Sequence, residues 1–370
     1  MKILVTGGAG FIGSFLVDAL IERGDDVRIF DCLEPQVHPN GKPEYLNPNA
    51  EFIEGDVRDI DAFRNVLKGM QTVIHCASSV GVGQSQYEIK KYVDVNAGGT
   101  ANLLQCLIEK DCTVKEILIP TSMTSYGEGL YRCPTHGDVR PGLRPVSHME
   151  QHDWEPHCPV CNASVEGIPI HEDALRESGT IYALSKNMQE DIIMNIAPLY
   201  GIKATAFRLF NVYGPRQSLS NPYTGVTAIF LSRLKNGQSP VIYEDGKQSR
   251  DFISVHDVVR AFMMALGNKA ADGQVFNIGS GKKTSIADIA TTLSTLTGFA
   301  IPAKITAEFR KNDVRHCFAD YSKAKEILGW EPTMTFEKGM EELVQWGEKQ
   351  EAEDKFAEAE NVLKNLNLQS

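Results

Sequence analysis

Three groups of residues have the types and spacing to do chemistry. The first is Thr6-Gly7-Gly8-Ala9-Gly10-Phe11-Ile12-Gly13, which follows a short apolar run and opens a helical pattern. Glycine permits a tight turn there and lets the backbone approach a pyrophosphate, whose charge then sits at the helix N-terminus. Gly7, Gly10, Phe11, Ile12 and Gly13 are the expected contacts. Asp31 stands eighteen residues past Gly13, at the end of the next apolar run. A carboxylate in that place accepts hydrogen bonds from the adenosine ribose and repels a 2′-phosphate, which favours NAD over NADP. Asp56-Val57, after a third apolar run, is placed to reach the adenine, with a simple loop or cap role for Asp56 as the alternative.

The second group is Tyr182-Ala183-Leu184-Ser185-Lys186. Positions i and i+4 share a helix face, so phenol and ammonium point the same way. A free tyrosine has a pKa of about 10 and is a poor base at neutral pH. A neighbouring cation and the charge of an oxidised nicotinamide would both lower it and make a proton acceptor. Ser122 ends a fifth apolar run, where the carboxyl ends of parallel strands gather ligands. Tyr-x-x-x-Lys alone is common by chance, and this context gives it weight.

The third group is Cys133-Pro134-Thr135-His136 and Cys158-Pro159-Val160-Cys161, separated by 21 residues. Three thiolates and an imidazole suit a closed, structural, tetrahedral Zn²⁺ site. An ordered insert with free thiols, or a redox pair at Cys158 and Cys161, are the alternatives. His148, His152, His157 and His171 are other choices for the fourth ligand.

These groups need elements to hold them. Ile3–Val5, Val27–Phe30, Phe52–Ile53, Val73–Ile74, Ile117–Ile119 and Ala204–Leu209 are the expected strands. Helical patterns separate the first five, which predicts a doubly wound, parallel α/β sheet of the Rossmann type over 1–213. Residues 128–172 interrupt it with six prolines, five of the nine histidines and three cysteines. So long a stretch without periodicity inside a domain implies an insertion with its own stabilising device, here a zinc-ribbon-like one. Residues 214–345 predict a smaller mixed α/β substrate lobe interleaved with the first domain. Its helices are expected near 227–236, 255–267 and 286–297, the last stopped by Gly298. Residues 346–370 read as a charged, solvated helical tail.

With these motifs in order, the chain resembles the extended short-chain dehydrogenase/reductase family, in its NAD-dependent nucleotide-sugar epimerase and dehydratase branch. Further segments carry the resemblance: His75-Cys76-Ala77, Asn96, Ser122-Met123-Thr124-Ser125-Tyr126-Gly127, Arg208 to Arg216, Arg250-Asp251-Phe252 and Arg310-Lys311-Asn312-Asp313. It implies catalytic roles for Ser122, Tyr182 and Lys186, and cofactor contacts at Ala77 and Asn96 as well as at Tyr182 and Lys186. It also implies a substrate diphosphate held by Asn211, Arg250 and Arg310, and a homodimer built on the helix of Tyr182 and its neighbour near 97–109. Arginine suits that role because it forms bidentate, charge-assisted bonds to phosphate.

The branch includes 4,6-dehydratases with an Asp-Glu pair after the strand-five hydroxyl, and decarboxylases with a glutamate there. This chain has Met123 and Thr124, neither an acid nor a base at neutral pH. The expected reaction is therefore 4-epimerisation of a nucleoside-diphosphate hexose through a transient 4-keto sugar. A 4-keto reductase or dehydratase is the alternative, and a catalytically silent NAD-sensing protein is the alternative of another class. The insert is similar to that of branch members acting on a dTDP-linked 6-deoxy-L-hexose.

Composition bounds the partners. A net charge of −11 argues against general nucleic-acid or anionic-membrane binding, despite the zinc-knuckle pattern. No apolar run approaches a membrane span, and the start is too glycine-rich for a signal peptide, so the chain reads as cytosolic. The scattered cysteines Cys32, Cys76, Cys106, Cys112 and Cys317 then read as core or ligand-adjacent residues, more often small buried hydrophobes than disulfide partners.

Overall fold

The computed structural model describes residues 1–369. Seven parallel strands form the main sheet: β1 (Lys2–Thr6), β2 (Asp26–Asp31), β3 (Glu51–Glu54), β4 (Thr72–His75), β5 (Glu116–Ser122), β6 (Lys203–Leu209) and β7 (Gln274–Ile278). Their order is β7-β6-β5-β4-β1-β2-β3. The direction of winding reverses beside β1, which pairs with both β2 and β4. That reversal opens a crevice at the carboxyl ends of the strands.

The strands are apolar because both faces are covered. On one face Leu16, Val17 and Leu20 meet Val258 and Phe262. On the other, Phe63, Leu103, Leu107 and Ile193 pack together. The helix Val255–Ala265 and strand β7 come from the later half of the chain yet complete the first sheet. Phe276 of β7 stacks on Phe207 of β6 with ring centroids 6.1 Å apart, which ties them together. The two halves are thus interleaved.

The smaller lobe packs the helices Val226–Lys235, Ile286–Thr297 and Phe336–Glu348 around Leu231, Leu234, Leu293 and Met340. The middle helix has a Ser285/Asp288 capping box and ends on Gly298 in the left-handed region, φ 69°. Only glycine enters that region without steric cost. The helix expected near 97–109 begins instead as a wider π turn, Val93–Gly98, before the α-helix Gly99–Leu107.

The insertion contains a small antiparallel sheet, in which Leu130–Cys133 pairs with Gly137–Val139 and with Glu166–Ile168. Buried ions dock it on the second lobe. Arg144 bonds Glu244 at 2.7 Å, and Arg315, wholly buried, bonds Glu155, Glu244 and Asp245 at 2.5–2.8 Å. Breaking such a pair leaves an uncompensated buried charge, which is strongly destabilising.

The C-terminal segment departs from the solvated tail read in the sequence. Residues 346–348 finish the helix Phe336–Glu348, and a second helix follows at Phe356–Asn365. Phe356, Ala359 and Leu363 share one face and are buried. Their spacing of three and four is that of an amphipathic helix, which the surrounding charge obscured.

Candidate functional site

One large cavity, about 730 Å³, follows the crevice at the carboxyl ends of the strands into the second lobe. Its first end is the glycine turn. Gly7 has φ +66°, and a Cβ there would lie 2.7 Å from Ala77 N. A Cβ on Gly13 would lie 2.1 Å from Gly7 O. The turn therefore tolerates no side chain at either position. The helix it opens, Phe11–Glu22, has no side-chain N-cap and no acid in its first turn. Its leading N–H groups are free for an anion. Asp31 is pinned at the tip of β2, where its carboxylate accepts from Ala9 N and Leu33 N, both at 2.9 Å.

Phe11, Ile12, Asp56, Val57 and Ala77 also line this end. The Asp56 carboxylate is gripped by the Arg58 guanidinium, at 2.6 Å to the nearer nitrogen, which lowers its pKa. Asn96 corrects the sequence reading. It is wholly buried behind the wall rather than on it, with its amide bonded to Ser79 O at 3.1 Å and Ser185 Oγ at 2.9 Å. Its Oδ1 accepts from Ser79 N at 2.7 Å. The π turn puts it inside the packing, where it splices the loop after β4 to the Tyr182 helix.

The middle of the cavity holds Ser122 and Tyr182. Ser122 Oγ accepts from Thr124 Oγ1 at 3.0 Å and from Thr124 N at 3.3 Å. With its lone pairs engaged, the Ser122 hydroxyl is left to donate. Thr124 is a partner the sequence reading considered only for what it lacks. Tyr182 opens the helix Ile181–Ile196, whose Thr180 cap accepts from Ala183 N. Burial raises the Tyr182 phenol above its ordinary pKa, and the neighbouring Ser122 hydroxyl pulls the other way. Lys186 is one helical turn further on, its ammonium donating to Pro120 O at 2.8 Å and Gln189 Oε1 at 2.7 Å. Burial lowers its pKa to about 8. The expected lowering of the phenol is not what the pocket's own groups produce, because burial outweighs the Ser122 hydroxyl.

The far end is lined by Asn211, Arg250 and Arg310. Arg250 pairs with Asp313 at 2.9 Å. The Arg310 guanidinium lies 4.7 Å from the Tyr243 ring centroid. Asn211 Oδ1 and Arg310 Nε are buried without a hydrogen-bond partner. Such orphaned groups are costly unless a ligand satisfies them.

Comparison with known proteins fits this layout. The NAD dependent epimerase/dehydratase family matches residues 3–148, and the GDP-mannose 4,6 dehydratase family matches residues 164–343. A dTDP-L-rhamnose 4-epimerase of Burkholderia thailandensis is 35% identical over 93% of this chain and 94% of its own. The chain belongs to the NAD-dependent epimerase/dehydratase family. A putative UDP-glucose 4-epimerase of Methanocaldococcus jannaschii is also 35% identical, over 93% of this chain and 97% of that one. Among solved structures, UDP-glucose 4-epimerase from Thermotoga maritima, with UDP-glucose, is 32% identical with TM-score 0.77. That match covers 94% of this chain and 99% of the other.

Met123 and Thr124 follow Ser122 directly, and neither side chain is an acid or a base at neutral pH. Met123 is buried in an apolar cluster with Tyr126 and Phe210.

The insertion brings its three cysteines and His136 together. The ligand atoms of all four lie within 4.8 Å of one another. Cys133 Sγ and Cys158 Sγ are each 3.6 Å from His136 Nδ1, and Cys133 Sγ is 3.7 Å from Cys161 Sγ. The other histidines lie apart. His148 and His157 gather with Asp153, and His152 stacks on Trp154. From 128–172 only Leu143 reaches the large cavity.

Proposed function

We propose that this NAD-dependent nucleotide-sugar epimerase, an isomerase, inverts C4 of dTDP-L-rhamnose to give dTDP-6-deoxy-L-talose. One observation carries the reading. A single continuous cavity has an uncapped glycine-turn helix at one end, Ser122 and Tyr182 in the middle, and unpartnered Asn211 and Arg310 atoms at the other. The glycine turn and Asp31 fit NAD, which supplies a hydride acceptor and donor at the sugar C4 when bound. Gly7, Gly10, Phe11, Ile12, Gly13, Asp31, Asp56, Val57 and Ala77 would hold it, together with Tyr182 and Lys186.

Tyr182 takes the proton of the sugar 4-hydroxyl and later returns it. Ser122 donates to the same oxygen, oriented by Thr124. Lys186, one helical turn from Tyr182, supplies positive charge that favours the phenolate. Asn211, Arg250 and Arg310 hold the diphosphate, which lets the 4-keto sugar turn without leaving. With Met123 and Thr124 beside Ser122, neither position offers an acid or base to remove water across C5–C6. The sugar choice is supported by the Burkholderia relative. The equal identity of the UDP-glucose relative makes UDP-glucose the rival substrate.

The test is incubation of the purified holoenzyme with dTDP-L-rhamnose, UDP-glucose and other nucleoside-diphosphate hexoses, with products read by NMR. Appearance of the 4-epimer of dTDP-L-rhamnose alone is expected. Turnover of UDP-glucose alone would sink the substrate assignment, and no 4-epimer from any of them would sink the epimerase reading.

The same reading includes a structural zinc at Cys133, His136, Cys158 and Cys161, and a homodimer. No helix among the described residues is long and apolar enough to cross a membrane. Leu184 and Met188 of the Tyr182 helix nevertheless face outward, 47% and 44% exposed. Ile89 and Val93 present a second apolar pair nearby on the preceding helical segment. A shared apolar patch of this kind suits an isologous contact. A Leu184→Glu/Met188→Glu variant is expected to sediment as a monomer at concentrations where the parent is a dimer. A parent that sediments as a monomer would contradict the contact.

A further inference from the structure

The matches to family patterns end at residue 343, yet the chain beyond them is built into the large cavity. Phe356, Glu360, Leu363 and Leu368 line it. The segment spans both halves of the molecule. On the first-domain side, a Cβ on Gly83 would lie 3.3 Å from Leu363 Cδ1, so the helix is in contact there. On the second-lobe side, Gln369 Nε2 bonds Glu308 at 2.8 Å, Lys364 bonds Glu308 at 3.0 Å, and Lys311 Nζ donates to Asn367 O at 2.8 Å. The backbone of Gln369 bridges that of Arg310. Arg233 anchors the near end by pairing with Asp354 at 3.0 Å and lying over the Phe356 ring.

We propose that residues 354–369 form a wall of the substrate site that holds the nucleoside of the nucleoside diphosphate. This rests on the nucleotide-sugar reading above. If Arg250 and Arg310 hold the diphosphate and Ser122 and Tyr182 face the sugar, the nucleoside is left to the part of the cavity beyond the arginines. There the walls are Val226 and Ile229 on one element and Phe356 and Leu363 on the C-terminal helix. Apolar faces from two elements suit a planar base. Glu360 supplies the polar contact. Its carboxylate accepts from Tyr243 OH and from Gln369 Nε2, both at 3.2 Å on the same oxygen. The second oxygen faces the Lys364 ammonium at 3.7 Å, too long for a direct hydrogen bond, and keeps lone pairs to accept from a ribose hydroxyl or a base N–H. A carboxylate facing the diphosphate itself would repel it, which places Glu360 on the nucleoside.

The experiment uses full-length holoenzyme and its Leu363→Asp and Glu360→Gln variants, titrated calorimetrically with dTDP and with UDP. Each variant is expected to weaken binding of the nucleoside diphosphate that the parent binds by at least about fivefold, with NAD content per chain unchanged. In turnover, KM is expected to rise by a similar factor while kcat stays within about twofold. A chain stopped after Gln350 should lose tenfold or more in affinity. Unchanged affinity in both point variants would overturn the assignment whatever the truncated chain does. A parent that binds neither nucleoside diphosphate would overturn the nucleotide-sugar reading and this wall together. A parent that binds beside unaffected variants would overturn the wall alone.

Discussion

Tyr182→Phe is expected to lower turnover by about a thousandfold while leaving nucleoside diphosphate affinity within about threefold, because one positioned acid–base group contributes 10²–10⁴-fold. The variant removes one oxygen and keeps the ring, so the packing of Tyr182 against Tyr92, centroids 6.3 Å apart, is retained. Ser122 cannot substitute as the base. Its oxygen already accepts twice from Thr124, and a serine hydroxyl is a far weaker acid than a phenol. The pH profile checks the same assignment. Burial raises the Tyr182 phenol in the free chain, so positive charge nearby must favour the phenolate. Lys186, lowered to about 8 by burial, is charged below that pH and loses its charge above it. The kcat/KM of the parent is therefore expected to fall on the alkaline side from near pH 8. Turnover of Tyr182→Phe within tenfold of the parent would refute the assigned base.

The second large effect is at the insertion. Purified protein is expected to carry about one zinc per chain, and Cys158→Ser/Cys161→Ser is expected to lose it. Tetrahedral zinc with Zn–S near 2.3 Å and Zn–N near 2.0 Å requires edges of about 3.8 Å between thiolates and about 3.6 Å between thiolate and imidazole. Of the three sulfur–sulfur and three sulfur–nitrogen separations, one sulfur pair at 3.7 Å and two sulfur–nitrogen pairs at 3.6 Å are close to those figures, and all six lie within 4.8 Å. Four protein ligands leave no place for water, so the metal would hold structure rather than react. Its loss should free the short strands of the insertion and with them Leu143 and the Arg144–Glu244 contact. Protease cleavage within 128–172 should rise, and turnover should drop more than tenfold. Zinc content equal to that of the parent in the double variant would rule out this site.

Much of this arrangement was legible because it is local. The glycine turn follows from backbone conformation, since Gly7 and Gly13 sit where no Cβ fits. The strands β1 to β6 were readable as apolar runs because parallel strands are buried on both faces. Tyr182 and Lys186 were paired by helical periodicity, and Gly298 was readable as a helix stop. Strand β7 was not, because Gln274–Ile278 lies among second-lobe segments and nothing local says which sheet it joins. Asn96 was placed on the cofactor wall, and the π turn buries it behind that wall instead. The cysteine spacing pointed to a metal knuckle but left five histidines open, and only the folded insertion brings His136 to the thiols.

The sequence by itself determined the chemical groups present: a dinucleotide turn with an acidic partner, a hydroxyl and a Tyr/Lys pair, and no acid or base at 123 and 124. Backbone sterics and side-chain type settle such features within a few residues. The tertiary structure alone decided what faces what. It turned the Lys186 ammonium toward Pro120 and Gln189, locked the insertion to the second lobe through Arg144 and Arg315, and laid the C-terminal helix against the cavity. Those contacts join residues up to hundreds of positions apart. They form because apolar faces and buried charges must each find a partner somewhere in the fold, and no short stretch of sequence names that partner.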